Sequence, residues 1–289
     1  MNRMRGHLVL FAVLAGMTAR AAGAELTVHA PPRLEAAAAR LREVDGPALA
    51  AALARAGLPV PTGVHVTLVS NDDPRARATP TWIVGLAVPP RDILILPERV
   101  AAYPYSSVES VLRHELVHLA LDAHAAGRPL PRWFHEGVAV SVEAGWSVTT
   151  SVRLLMATLA EPGTAEVTRL FDADDQPATT LAYLLAAALV DDLRQVHGAA
   201  VPGAIAGRVS AGTPFARAFA LETGETPDAA AARAWRAYRR WTAWLPVVTS
   251  GSAVWAATLV LAFAAFFVRL YRNARRRRSW AAEEGEDIG

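Results

Sequence analysis

His114 and His118 stand four residues apart in the stretch VLRHELVHL, with Glu115 beside the first of them. On an α-helix turning about 100° per residue, the two imidazoles share one face about one turn apart. A pair of imidazole nitrogens in that arrangement is half of a zinc site, since Zn²⁺ favours nitrogen ligands, prefers four tetrahedral positions and keeps one open in catalytic sites. Glu115 is placed to take a proton from a water whose pKa such a metal lowers toward ~7. The competing account is a structural His/Glu face, and burying those groups unpaired would be costly.

The elements that must position these residues are legible around them. Ser106 and Glu109 have the spacing of a capping box, and Val108, Val111, Leu112, Leu116 and Leu119 recur at helical spacing, which predicts a largely buried helix. A second helix is predicted from Arg132 to about Gly145. Its Glu136, 18 positions after His118, can bring a third, anionic ligand from a helix start that is otherwise apolar. His135 is one residue, and so about 100°, away from Glu136, which assigns it to the surroundings of the site or to the surface. His124 is a competing third ligand, six residues after His118 as in HExxHxxGxxH. The glycine of that motif is Leu121 here, so the helix can run on and carry His124 off the metal face.

Before these helices, Val64, Val66 and Leu68 alternate with His65 and Thr67, and apolar runs follow at Trp82 to Val88 and Ile93 to Leu96. The period of two predicts a small twisted mixed sheet, with His65 on the surface. Residues 25–63 are alanine-rich and read as a helical lead-in with packing duties. Thr179 to Val196 reads as a long apolar helix closed by Gly198, and Tyr183 near its start is either a donor to an oxyanion or a core tyrosine. Phe215 to Gly224 and Thr226 to Tyr238 supply two further helices. The expected fold class is therefore α+β: a small twisted mixed β-sheet followed by a mainly helical domain, with one C-terminal transmembrane helix.

The chain ends and composition set the expected context. The 289 residues carry a formal net charge of +2 and no cysteine, so no disulfide framework is implied. Arg3 and Arg5, the apolar run Leu8 to Met17 and Ala22-Gly23-Ala24 read as a signal peptide over residues 1–24. Leu245 to Val268 holds no charged residue for 24 positions, and Arg269, Arg272 and Arg275 to Arg278 follow it. This predicts a single membrane span over 245–268 with a basic-then-acidic cytoplasmic tail over 269–289. The expected location is a bacterial inner membrane with the catalytic body on the periplasmic side. The arginine cluster lacks the aromatic interleaving of a nucleic-acid patch, so no nucleic-acid partner is expected. The oligomeric state is left open.

At these residues the chain resembles the MA-like zinc peptidases of the gluzincin type, of which thermolysin is a distant relative. The resemblance spans about residues 64–240 and rests on GLAVP, DILIL, HELVH, LPRWFHEGVAV, LAYLLAAALVDDLRQVHG, AFALETGETP and Trp235. It implies a zincin-like domain, zinc held by His114, His118 and Glu136, Glu115 as general base and Tyr183 as a catalytic donor, with His135 and Arg132 as further candidates for steadying the oxyanion. It also implies a peptide or protein substrate lying along Ile93 to Leu96 as the edge strand. Leu184 and Leu185 follow Tyr183 where the family often has polar residues, and Val140 stands where thermolysin has an acid one turn beyond its glutamate ligand; the nearest acid is Glu143. The expected function is a membrane-anchored zinc metallopeptidase. The alternatives are a catalytically inactive peptidase-like domain that binds a partner protein, and a purely structural zinc completed by His124 or His135.

Overall fold

The computed structural model describes residues 25–100, 105–143, 161–173, 175–242, 258–259, 261–263 and 265–269. The expected signal peptide lies outside them, as does the expected tail beyond Arg269. Four strands form one mixed sheet: β1 (Leu26–His29), β2 (Val64–Leu68), β3 (Gly85–Val88) and β4 (Asp92–Ile95), in the order β1-β2-β4-β3. β1, β2 and β4 run parallel, while β3 is antiparallel to β4. Val64, Val66, Leu68, Ile93 and Ile95 turn into the core and His65 faces solvent, as their alternation requires.

Two parts of the sheet differ from the sequence-based expectation. Ile93 to Leu96 is not the edge: β4 is central between β2 and β3, and β3 is the edge on that side. The reason is the short turn at Pro89-Pro90, which folds Gly85–Val88 back along β4 on its outer side. The lead-in also contributes a strand, because Leu26↔Val64 through His29↔Thr67 pair in register. Four residues gave too short an alternation to stand out beside the alanine-rich helices α1 (Glu35–Arg42) and α2 (Gly46–Arg55). Asp45 caps α2 by accepting the Ala48 N–H at 2.9 Å. A short α3 (Pro74–Ala78) precedes β3.

Helix α4 (Val108–His124) lies under the sheet, with Val111, Leu112, Leu116, Val117, Leu119, Ala120 and Leu121 all buried. Its cap is one residue later than the sequence suggested. Ser107 and Ser110 form the reciprocal pair, each accepting the other's backbone N–H at 3.2 Å. The helix continues through Leu121 to His124, and the chain leaves through Ala126 and Gly127, both at positive φ.

Helix α5 (Arg132–Glu143) is pinned at its first turn by the buried Trp133 and Phe134, which meet Phe215 edge-on. α6 (Thr164–Phe171) follows, and then the long α7 (Gln176–His197), closed by Gly198 at φ 98°. α5 and α7 touch closely: a Cβ at Gly137 would stand 2.5 Å from the Ala186 carbonyl oxygen. α8 (Val201–Ser210), α9 (Phe215–Thr223) and α10 (Pro227–Thr242) complete the helical layer. Trp235 of α10 is fully buried and donates its indole N–H to the Pro162 carbonyl at 2.8 Å, tying α10 to the approach of α6.

The α+β class with a small mixed sheet and mostly helices is what the structure shows. The transmembrane helix expected over 245–268 requires correction. Among the described residues no helix is long and apolar enough to cross a membrane. Residues 258–259, 261–263 and 265–269 are helical, and the remainder of that stretch lies outside the described residues. A charge-free apolar run satisfies a hydropathy criterion without specifying one unbroken helix, and this run includes Pro246 and Ser250-Gly251-Ser252.

Candidate metal centre

The helix pair α4 and α5 brings His114, His118 and Glu136 together, with one potential ligand atom from each lying within 4.8 Å of the others. Glu136 Oε2 is 3.3 Å from His114 Nε2 and 3.4 Å from His118 Nε2. Two ligands held ~2.05 Å from a tetrahedral zinc stand about 3.3 Å apart, and both spacings to Glu136 match that value. The donor set of two imidazoles and a carboxylate fits zinc equally well.

Ring packing orients the imidazoles. His114 meets Tyr105 edge-on at 5.1 Å between centroids, and His118 stacks on His135 at 4.6 Å with planes 18° apart. The Nδ1 atoms of His114 and His118 are buried with no hydrogen-bond partner among the described residues. Metal-binding histidines generally donate that second nitrogen to a carboxylate or carbonyl. Here the position one turn beyond Glu136 is the buried Val140, and aromatic contacts do the holding instead.

Glu115 is buried at 3 % exposure, and burial pushes its carboxyl up to about 7, with Glu136 adding to the rise while His118 and the facing Ala87 N–H oppose it. Burial also pushes Glu136 up, but the two imidazoles outweigh it and hold that carboxyl well below its usual range. Burial and the neighbouring His118 hold His135 down to about 3, so it is a neutral ring in the site. The two carboxyls are thus pushed apart, Glu136 kept charged and Glu115 poised to exchange a proton near neutrality.

A cleft of about 910 Å³ opens over these residues. Ile83 to Ala87 form one wall, Phe171 to Ala173 with Thr179 and Thr180 the other. Arg132 reaches into it from one turn before Glu136, donating to the Phe171 carbonyl at 3.2 Å and to Asp172 at 3.1 Å, with its Nε 3.9 Å from Glu136 Oε1. Tyr183 lines the cleft with its ring edge-on to Phe171 at 5.1 Å. Burial above all raises the hydroxyl pKa of both Tyr183 and Tyr105, so each keeps its proton as a donor at neutral pH.

The predicted residues therefore divide clearly. His114, Glu115, His118, Glu136, Tyr183, His135 and Arg132 converge on one cleft. His124 does not: its Nε2 lies 3.1 Å from the Gly203 carbonyl oxygen, on the opposite side of α4 toward α8. Sequence reasoning missed three contributors. Tyr105 precedes the helix cap, where a polar-tipped aromatic carries no periodic signal. Gly85, a lone glycine in an apolar run, did offer a signal, because such a residue in a strand marks a close backbone approach. Arg99 gathers the loop at the mouth of the cleft, donating to the carbonyls of Ala76, Pro80 and Ile83 at 2.8 to 3.2 Å.

No protein-family model matches the chain, and comparisons with curated proteins and with solved structures find no match either.

Proposed function

We propose that the chain is a zinc-dependent metallopeptidase of the gluzincin type, with Glu115 as general base and His114, His118 and Glu136 as metal ligands. The observation that carries the reading is the convergence of three potential ligand atoms within 4.8 Å of one another beside a buried carboxyl of raised pKa, all opening on one cleft. Zinc held there would supply Lewis acidity toward a water and a scissile carbonyl. Glu115 takes the proton of the attacking water and delivers it to the leaving amine. Tyr183 and Tyr105 keep their protons and both meet the His114 ring edge-on, so each is a candidate donor to an oxyanion.

An extended peptide suits the cleft because its wall is a sheet edge. The Leu96 N–H bonds the Val84 carbonyl at 2.8 Å, which sets the alternation along β3. Leu86 and Val88 turn their backbone groups toward β4, while Gly85 and Ala87 turn theirs outward. A substrate strand would pair with those outward groups other than the Ala87 N–H, which faces Glu115. The basic-then-apolar pattern of residues 1–24 supports an extracytoplasmic site of action as part of this proposal.

The test is elemental analysis and peptide hydrolysis of the purified chain. One zinc per chain is expected, lost in Glu136→Ala and kept in His124→Ala. Glu115→Gln should keep the metal and lose roughly 10³-fold in turnover. Loss of zinc with His124→Ala, or hydrolysis untouched by Glu115→Gln, sinks the proposal; zinc without hydrolysis favours a domain that binds a partner and does not cut it.

A further inference from the structure

Resting on the peptidase reading, we infer that Gly85 is a positioning residue for the general base: its missing side chain is the space in which the Glu115 carboxylate is held against the edge strand. A Cβ built at Gly85 would stand 2.5 Å from Glu115 Oε1 and 2.6 Å from Val111 Cγ1, well inside van der Waals contact. Val111 and Glu115 are one turn apart on α4, so β3 and α4 are in contact along the helix face that carries the base.

The strand fixes the carboxylate from two directions. Gly85 presents only backbone to it, and Ala87, the next residue whose groups point away from β4, turns its N–H toward it and favours the charged form. The carboxylate is itself buried, on a helix whose Val111, Leu112, Leu116 and Leu119 are buried with it. Any side chain at position 85 must displace the carboxylate, the Val111 side chain or the strand. A displacement of about 1 Å in a base is enough to cost about a hundredfold in rate. The three metal ligands sit away from this contact, which involves neither an imidazole nor Glu136. Base placement and metal binding are therefore separable at Gly85.

The experiment uses the full chain and a cycle of Gly85→Ala, Glu115→Ala and the pair, built on Val111→Ala so that the carboxylate is the only remaining obstacle. Thermal unfolding of chelator-treated protein is the first readout. Gly85→Ala should lower the midpoint by a few degrees with Glu115 present and by much less in the Glu115→Ala background; an equal cost in both backgrounds overturns the inference. The second readout is zinc content with kcat and KM of Gly85→Ala in the otherwise native chain. Full zinc, a roughly hundredfold lower kcat and a KM within about twofold are expected. Unchanged kcat, or loss of zinc, overturns it. A zinc-loaded native chain that hydrolyses no peptide would remove the peptidase reading by itself, and the unfolding cycle would still decide whether Gly85 confines Glu115.

Discussion

At the scale of single residues, Glu115 shows how a site works against the stability of its own fold. Its carboxyl is raised from 4.5 to about 7 by burial, so between those values the folded chain keeps a proton that the unfolded chain has released. Stability of the metal-free protein therefore falls as pH rises through that window and stays lower above it. Glu115→Gln removes the cost. The metal-free variant should match the metal-free native chain near pH 4 and exceed it near pH 8 by roughly 3 kcal/mol, the equivalent of the shift. Urea unfolding at the two pH values measures this, and an equal difference at both would contradict it. The convergence of His114, His118 and Glu136 was legible in the sequence because their spacing is local: four residues along one helix and the start of the next. Tyr105 and Arg99 were not, because each acts through contacts made only once the loops around β3 and α4 have closed.

At the scale of elements, the geometry of the site depends on how closely α5 approaches α7. Glu136 is followed at once by Gly137, whose Cα side faces the Ala186 carbonyl and Val190. Gly137→Ala should force the helices apart, destabilise the protein by about 2 kcal/mol and weaken metal binding by moving Glu136 away from the imidazoles. Thermal unfolding and metal titration should show both losses together; a variant with normal metal affinity would mean that Glu136 is held by its own turn and not by the helix pair. Helices α4, α5, α7, α9 and α10 were readable from periodicity, while the short α3, α6 and α8 carry too few turns for a pattern to stand out and were not foreseen. The sheet was less so. The order of strands is decided by a turn at two prolines and by pairing across more than 30 residues, and neither leaves a periodic trace. That is why β4 was taken for the edge and β1 was not foreseen.

For the whole molecule, the N-terminal segment is part of the core. Leu34, Leu41, Leu49 and Leu53 are buried in the same cluster as α4, and β1 completes the sheet beside β2. A chain beginning at Val64 would expose those partners and leave β2 as a new edge. It should fail to fold cooperatively and bind zinc poorly, as far-ultraviolet circular dichroism with thermal melting would show. A cooperative transition like that of the longer chain would contradict the single core.

The sheet's outer boundary has one more consequence. After Val88 the chain continues through Pro89 and Pro90, neither of which has an N–H to offer. A segment laid along β3 runs out of donors within a few residues, while Arg99 occupies the carbonyls just upstream. Open sheet borders invite endless stacking of identical chains. This one is four residues long and ends at two prolines, which leaves little length for such stacking.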